Sequence, residues 1–264
     1  HGYCFDVPAT AEGNLIAEPL VHMGRFVHEA VAIDPKSGFV YETEDANPGG
    51  FYQYLPDYPG RLAMGGTLGM LAVSGQPKFD TRIGQTIGKE LAVEWVEIND
   101  PDPVGAGLER GLVHKEGLDK GGAIFNRLEG CWHGNDRIFF TSTQGGDKGL
   151  GQVWEYNPLG ADGGVLKLLF ESPDPALMAA PDNICVSPRG GLVICEDNRE
   201  GIQHIRGLTR DGRVFDLAKD IAGITHRGEF AGATFSPDGE TLFVNMQRPG
   251  MTYAIWGPWQ NGAV

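Results

Sequence analysis

Four stretches of this sequence repeat one device, and that repeat limits the fold more than any other feature. The clearest copy is Glu229 to Gln247, EFAGATFSPDGETLFVNMQ. An acidic residue opens a β-run, Pro237, Asp238 and Gly239 turn the chain, and Thr241 to Asn245 return as a second strand. Proline presets φ for such a turn, and glycine takes the position that needs φ > 0. Glu29 opens a second copy within HEAVAIDPKSGFVYETED, Glu129 a third in EGCWHGNDRIFFTSTQGG, and Asp182 a fourth in DNICVSPRGGLVICEDN. The starts lie 100, 53 and 47 residues apart. A unit of about 50 residues built from short strands predicts an all-β fold, a β-propeller. The first gap is two units wide, so a degenerate or heavily inserted blade is expected inside it.

The repeat carries chemistry. Equivalent positions of successive blades lie on a ring about the propeller axis, so Glu29, Glu129, Asp182 with Asn183, and Glu229 are expected to converge at one mouth of it. Carboxylates at close range repel unless cations neutralise them. The pattern therefore predicts a site for a hard metal ion. Taken singly, each acid reads equally as a turn residue or a strand-edge charge. Arg127 and Glu129 are two apart and share a strand face. That Arg is either a bidentate clamp for a phosphate or an ordinary salt-bridge partner. His28 adjoins Glu29 and is a candidate to support a ligand from behind.

With 264 residues, 40 of them glycine and 17 proline, the chain suits one domain rich in tight turns, spanning 1–264. A formal net charge of −14 argues against nucleic acid and anionic membranes as partners. No apolar run is long enough to span a membrane, and no signal peptide is evident. Cys185 and Cys195 are equidistant from a turn at Gly190, which allows either a cross-strand disulfide or two buried thiols; Cys4 and Cys131 have no assignable partner. There is no zinc-like Cys/His spacing, nucleophile elbow, P-loop or dinucleotide fingerprint.

Before the first unit, a strand is expected in residues 1–7 and another from Leu15 to Val21. Residues 104–124 read as a Gly-rich insertion with a short helical turn from Leu108 to Leu118. Phe215 to Ile221 reads as either strand or helix.

The stretches MGRFVHEAVAIDP, VYETED, VEWVEINDPDP, FNRLEG, PDNICVSP, CEDN, EFAGATFSPDGETLFVN and IWGPW occur in an order that resembles the PhoX-type alkaline phosphatases. These are secreted, six-bladed β-propeller enzymes with a mixed iron–calcium cofactor. The resemblance implies that Glu29, Glu129, Asp182, Asn183 and Glu229 hold metal and that Arg127 contacts the phosphate. It extends to His28, Glu44, Asp45, Glu196 and Asp197 as further ligands or their supports. It also implies a phosphomonoester substrate and a periplasmic or extracellular location. An earlier family segment, with a cysteine and a Trp-Gly-Thr…Cys-Glu-Glu motif that supplies iron ligands, has no match here. The chain is therefore expected to hold the later blades of the ring. Two functions follow: a metal-dependent phosphomonoesterase, or a catalytically inactive calcium-binding propeller that acts as a structural or binding module.

Overall fold

The computed structural model describes residues 2–105, 111–199, 201–221 and 228–264. They form successive antiparallel meanders. The first comprises β1 (His28–Ile33), β2 (Val40–Glu44), β3 (Phe51–Pro56) and β4 (Gly66–Val73), extended by β5 (Glu90–Ile98). The second comprises β6 (Leu128–Gly134), β7 (Arg137–Ser142), β8 (Gln152–Pro158) and β9 (Gly163–Glu171). The third is β10 (Pro181–Val186), β11 (Leu192–Glu196), β12 (His204–Leu208) and β13 (Val214–Lys219). The fourth is β14 (Phe230–Phe235), β15 (Thr241–Met246) and β16 (Met251–Trp256). The leading strands β1, β6, β10 and β14 lie side by side in that order. This is the arrangement of propeller blades around an axis.

The repeat is visible in the hydrogen bonds. Asp45 N–H donates to Val27, Thr143 to Arg127, Asp197 to Ala180 and Gln247 to Glu229, each across the mouth of a leading hairpin. Just inside, three leading strands bulge at one place. Between the pairs His28↔Glu44 and Val31↔Glu42, between Leu128↔Ser142 and Cys131↔Phe140, and between Pro181↔Glu196 and Ile184↔Ile194, three residue steps face two. The extra residue falls at Glu29–Ala30, Glu129–Gly130 and Asp182–Asn183. A bulge bends a strand and re-aims its side chains. Here it holds the repeated acids.

These bonds also correct the expected register. Glu229 is equivalent to Val27, Arg127 and Ala180; the counterpart of Glu29, Glu129 and Asp182 is Ala231. The fourth acid thus lies two residues early. Its bulge, between Ala231↔Asn245 and Thr234↔Phe243, falls one step later than the others.

Apolar cores fill the spaces between meanders. Tyr41, Phe51, Phe140, Trp154 and Tyr156 pack between the first two, with the Phe51 and Phe140 rings 4.1 Å apart. Phe139, Val153, Ile184 and Ile194 join the second and third; Val193, Phe230, Leu242 and Val244 join the third and fourth. Polar bonds add to the linkage nearest the axis. Thr43 Oγ1 donates to the Glu129 carbonyl and Thr141 Oγ1 to the Asp182 carbonyl, both at 2.6 Å. Asn183 Oδ1 accepts from Ala233 N–H at 2.9 Å.

Several expectations change. The gap between Glu29 and Glu129 holds no separate blade among the described residues: β5 pairs with β9, Glu90 opposite Lys167, and so ties the outer edges of the first two meanders. Residues 2–20 form a single bridge, Phe5 to Pro19, instead of strands. In the Gly-rich stretch the helix is α1 (Leu112–Asp119), while the positions 106–110 lie outside the described residues. Within that stretch Val113 and Ala123 are fully buried. Residues 214–219 are strand. Cys185 pairs in register with Val193, not Cys195, and both cysteines are free and buried.

Gly130 shows how tightly the leading strands meet. A Cβ there would stand 2.6 Å from the Asp182 carbonyl oxygen and 2.7 Å from the Ile184 nitrogen. Both are backbone atoms and cannot swing aside. Gly130→Ala is expected to lower stability by about 1–3 kcal/mol, the usual cost of overpacking. Chemical denaturation of the two proteins measures the difference.

Candidate metal and phosphate site

The bulged ends of the leading strands open into a cleft of about 560 Å³. Glu29, Glu129 and Asp182 reach it from the bulges, and Asp45 and Asp197 from the tails of β2 and β11. Glu229 joins them from the residue before β14. These six carboxylates share the walls with three guanidiniums, those of Arg127, Arg199 and Arg248.

Burial and crowding raise the proton affinity of the acids. Burial pushes Glu129 up to about 9, helped by the charges of Asp182, Glu29 and Asp45. Asp182 rises to about 7 through burial and then the charges of Glu229 and Glu29. Glu29 is raised by burial and by Asp45. Burial also raises Glu229, with the neighbouring Asp197 carboxyl adding to the rise. Glu129 stays raised although Arg127 Nη2 lies 2.7 Å from its Oε1. One guanidinium does not offset burial and three neighbouring acids.

Arg127 is pinned from two sides. Its Nε and Nη2 donate to the two carboxylate oxygens of Asp45 at 2.8 and 3.1 Å, and Nη2 also donates to Glu129. Nη1 has no partner among the described residues. The backbone at Arg127 is left-handed, φ +48°, a region that non-glycine residues enter only when their surroundings demand it. Arg127 is thus a salt-bridge partner of Asp45 and Glu129 that also lines the cleft.

One carboxylate oxygen each from Glu29, Asp45 and Glu129 lie within 4.8 Å of one another. Oxygens around a single Ca²⁺ sit about 2.3–2.6 Å from it, so they are at most about 5 Å apart. The donors are all oxygen, which suits a hard cation.

Other sequence candidates are placed elsewhere. Glu44 is buried behind the rim, where Oε2 accepts from Gly50 N–H and from Tyr52 Oη. Glu196 is likewise buried, held by Ala179 N–H, Arg206 and His204. Along each strand the next residue, Asp45 or Asp197, turns into the cleft, as alternation requires. Asn183 spends its Oδ1 on Ala233 and does not line the cleft. His28 faces away toward Cys4 and Glu42. Conversely, Asn198, Arg199, Gln203, Gln247 and Arg248 line the cleft without having been singled out. Gln247 had a legible signal: it holds the hairpin-mouth position of Asp45 and Asp197 and donates to Glu229 Oε1.

Meanders packed around adjacent leading strands, with a carboxylate-lined cleft at the starts of those strands, define a β-propeller with its polar site near the axis. The chain belongs to the PhoX alkaline phosphatase family, whose model matches residues 1–250. Among solved structures it is similar to Pseudomonas fluorescens PhoX in complex with vanadate, a transition-state analogue, at 18% identity and TM-score 0.66. That match covers 95% of this chain and 52% of the other, so the chain spans about half the length of that phosphatase. Weaker likenesses are a chain of a nidogen/laminin complex (16% identity, TM-score 0.49, covering 91% and 69%) and a periplasmic gluconolactonase of Pseudomonas aeruginosa (14%, 0.43, covering 89% and 69%). No curated protein sequence matches the chain.

The crowding has a testable consequence. A carboxyl whose folded pKa is raised contributes stability that is complete below its unfolded pKa and lost as pH rises through the folded value. For Asp182 the loss runs from the ordinary 3.8 to about 7, and for Glu129 from 4.5 to about 9. In EGTA the melting temperature is expected to fall across this range, and excess calcium to suppress most of the fall. A calcium-insensitive profile would remove the case for cation binding.

Proposed function

We propose that this chain carries the metal-holding and phosphate-contacting part of a metal-dependent phosphomonoester hydrolase of the PhoX type. Arg127 carries the reading: a guanidinium locked by two acids, with Nη1 unengaged, in a cleft walled by carboxylates. The pinning by Asp45 and Glu129 removes most of the freedom that a long side chain loses on binding. Nη1 can then donate to a phosphoryl oxygen with little reorganisation, the condition under which electrostatic stabilisation of a transition state is largest.

Glu29, Asp45, Glu129, Asp182 and Glu229 are assigned to cations, with calcium fitting the all-oxygen donors and iron implied by the family resemblance. Bound cations would neutralise the phosphoryl charge and polarise its oxygens as Lewis acids. Neutralisation matters here, because six acids alone repel a phosphate. Arg199 and Arg248 add positive charge at the walls. Among the described lining residues there is no hydroxyl, thiol or imidazole. The reading accordingly needs no serine, cysteine or histidine nucleophile. No helix among the described residues is long and apolar enough to cross a membrane. A periplasmic or extracellular setting, rich in calcium, accords with this assignment.

The test is hydrolysis of p-nitrophenyl phosphate by the chain supplied with calcium and iron. Arg127→Ala is expected to lower kcat/KM by about 2–4 kcal/mol, roughly 30- to 1000-fold. Its metal content should match the parent, since a guanidinium does not ligate a cation. In Glu229→Gln, metal content and activity should fall together. Full activity in Arg127→Ala would remove the clamp, and calcium binding with no hydrolysis would leave a calcium-binding module instead.

A further inference from the structure

Cys4, His28 and Glu42 meet on the side of β1 away from the acidic cleft. They come from three parts of the chain: the segment before β1, the first residue of β1, and β2. His28 Nδ1 is 3.5 Å from Cys4 Sγ and 3.1 Å from Glu42 Oε2, and the sulfur is 3.9 Å from that oxygen. We propose that these three side chains bind a Zn²⁺-class divalent ion, at a site separate from the hard-cation cleft.

The first support is geometric. With bond lengths of about 2.3 Å to sulfur and about 2.0 Å to nitrogen and oxygen, tetrahedral edges are roughly 3.5 Å from sulfur to either light atom and 3.3 Å from nitrogen to oxygen. The observed separations already match these edges to within a few tenths of an ångström. The second is the histidine tautomer. His28 Nε2 lies 3.1 Å from the Gly24 carbonyl oxygen, an acceptor only, so Nε2 carries the proton. In the neutral ring Nδ1 then offers a lone pair toward the thiol and the carboxylate. Orientation of a ligating imidazole through its far N–H and a backbone carbonyl is the usual support of a metal-bound histidine. The ring is further fixed by stacking on Phe26, centroids 3.7 Å apart.

The third is an unmet need. Glu42 is wholly buried, and its Oε1 has no hydrogen-bond partner. An imidazolium would satisfy Nδ1 and Oε2 but would leave both Oε1 and the thiol without a strong partner. One cation bound to Sγ, Nδ1 and Oε2 engages all three side chains and neutralises the carboxylate whose Oε1 is otherwise uncompensated. A thiolate, imidazole and carboxylate set selects a borderline metal over calcium. Three protein ligands leave a fourth position for water. Such an ion would staple the segment that includes Cys4 to the first meander, beside the Cys4 carbonyl that accepts from Leu20 N–H.

The test uses the intact chain in excess calcium, which occupies the cleft. Titration with Co²⁺ is expected to produce a thiolate-to-cobalt charge-transfer band and the intense visible bands of a four-coordinate ion. Both should saturate at one equivalent and be displaced by Zn²⁺. The other cysteines, Cys131, Cys185 and Cys195, are buried and do not provide this signal. Cys4→Ser should abolish the charge-transfer band, while Glu229→Gln, in the cleft, should retain it. In the unmutated protein, Zn²⁺ should slow alkylation of Cys4 by iodoacetamide at least tenfold, read by peptide mass. Absence of the band from the unmutated protein, its survival in Cys4→Ser, or an unchanged alkylation rate overturns the site.

Discussion

The structure depends on like charges held together against their repulsion. Three leading strands each place an acid on a bulge, at the end where they converge on the axis. Each bulge bends its strand and re-aims that strand's acid into the shared cleft. Glu129 is buried and Asp182 half-buried, so water screens them poorly, and both hold their protons well above the ordinary range. Such a cluster is a standing electrostatic cost, which cations sharing the carboxylates would offset.

The cost is tolerable because the surrounding framework is tightly tied. The threonines at 43 and 141 clamp the bulge carbonyls of the next leading strand, and the aromatic layer of Tyr41, Phe51, Phe140 and Trp154 holds the first two meanders face to face. Arg127 belongs to the same economy. Its ion pair to Asp45 joins the first meander to the second, and with the pair to Glu129 it fixes the guanidinium in place. In the proposed reading, one guanidinium would tie blades together and also meet the phosphate. Strained backbone at that residue is consistent with surroundings that over-determine its position.

Two clusters of potential donor side chains sort by chemistry on opposite sides of one strand. Glu29 joins oxygen donors in an open, polar cleft; His28, the residue before it, joins a thiol and a buried carboxylate. Adjacent positions on β1 thus face an oxygen-lined cleft and a thiol-containing cluster, with the bulge after His28 setting where Glu29 points.

Much of this was legible in the residues alone. The 47-to-53-residue spacing, the Pro237–Gly239 turn and the acids opening each hairpin carried the all-β propeller, the strand pairs and most of the cleft acids, because strand alternation and turn chemistry are local. The ordered stretches from MGRFVHEA to EFAGATF carried the family. Tertiary structure alone decided the rest. Whether Glu44 or Asp45, and Glu196 or Asp197, enters the cleft turns on one residue of register, and a single bulge changes that count. Glu229 entered by a different hairpin position from its apparent counterparts, which spacing within a few residues did not separate. The pairing of β5 with β9, the arrival of Arg199 and Arg248, and the meeting of Cys4 with His28 and Glu42 arise between segments distant in sequence. No local pattern records those contacts; packing of the whole chain determines them.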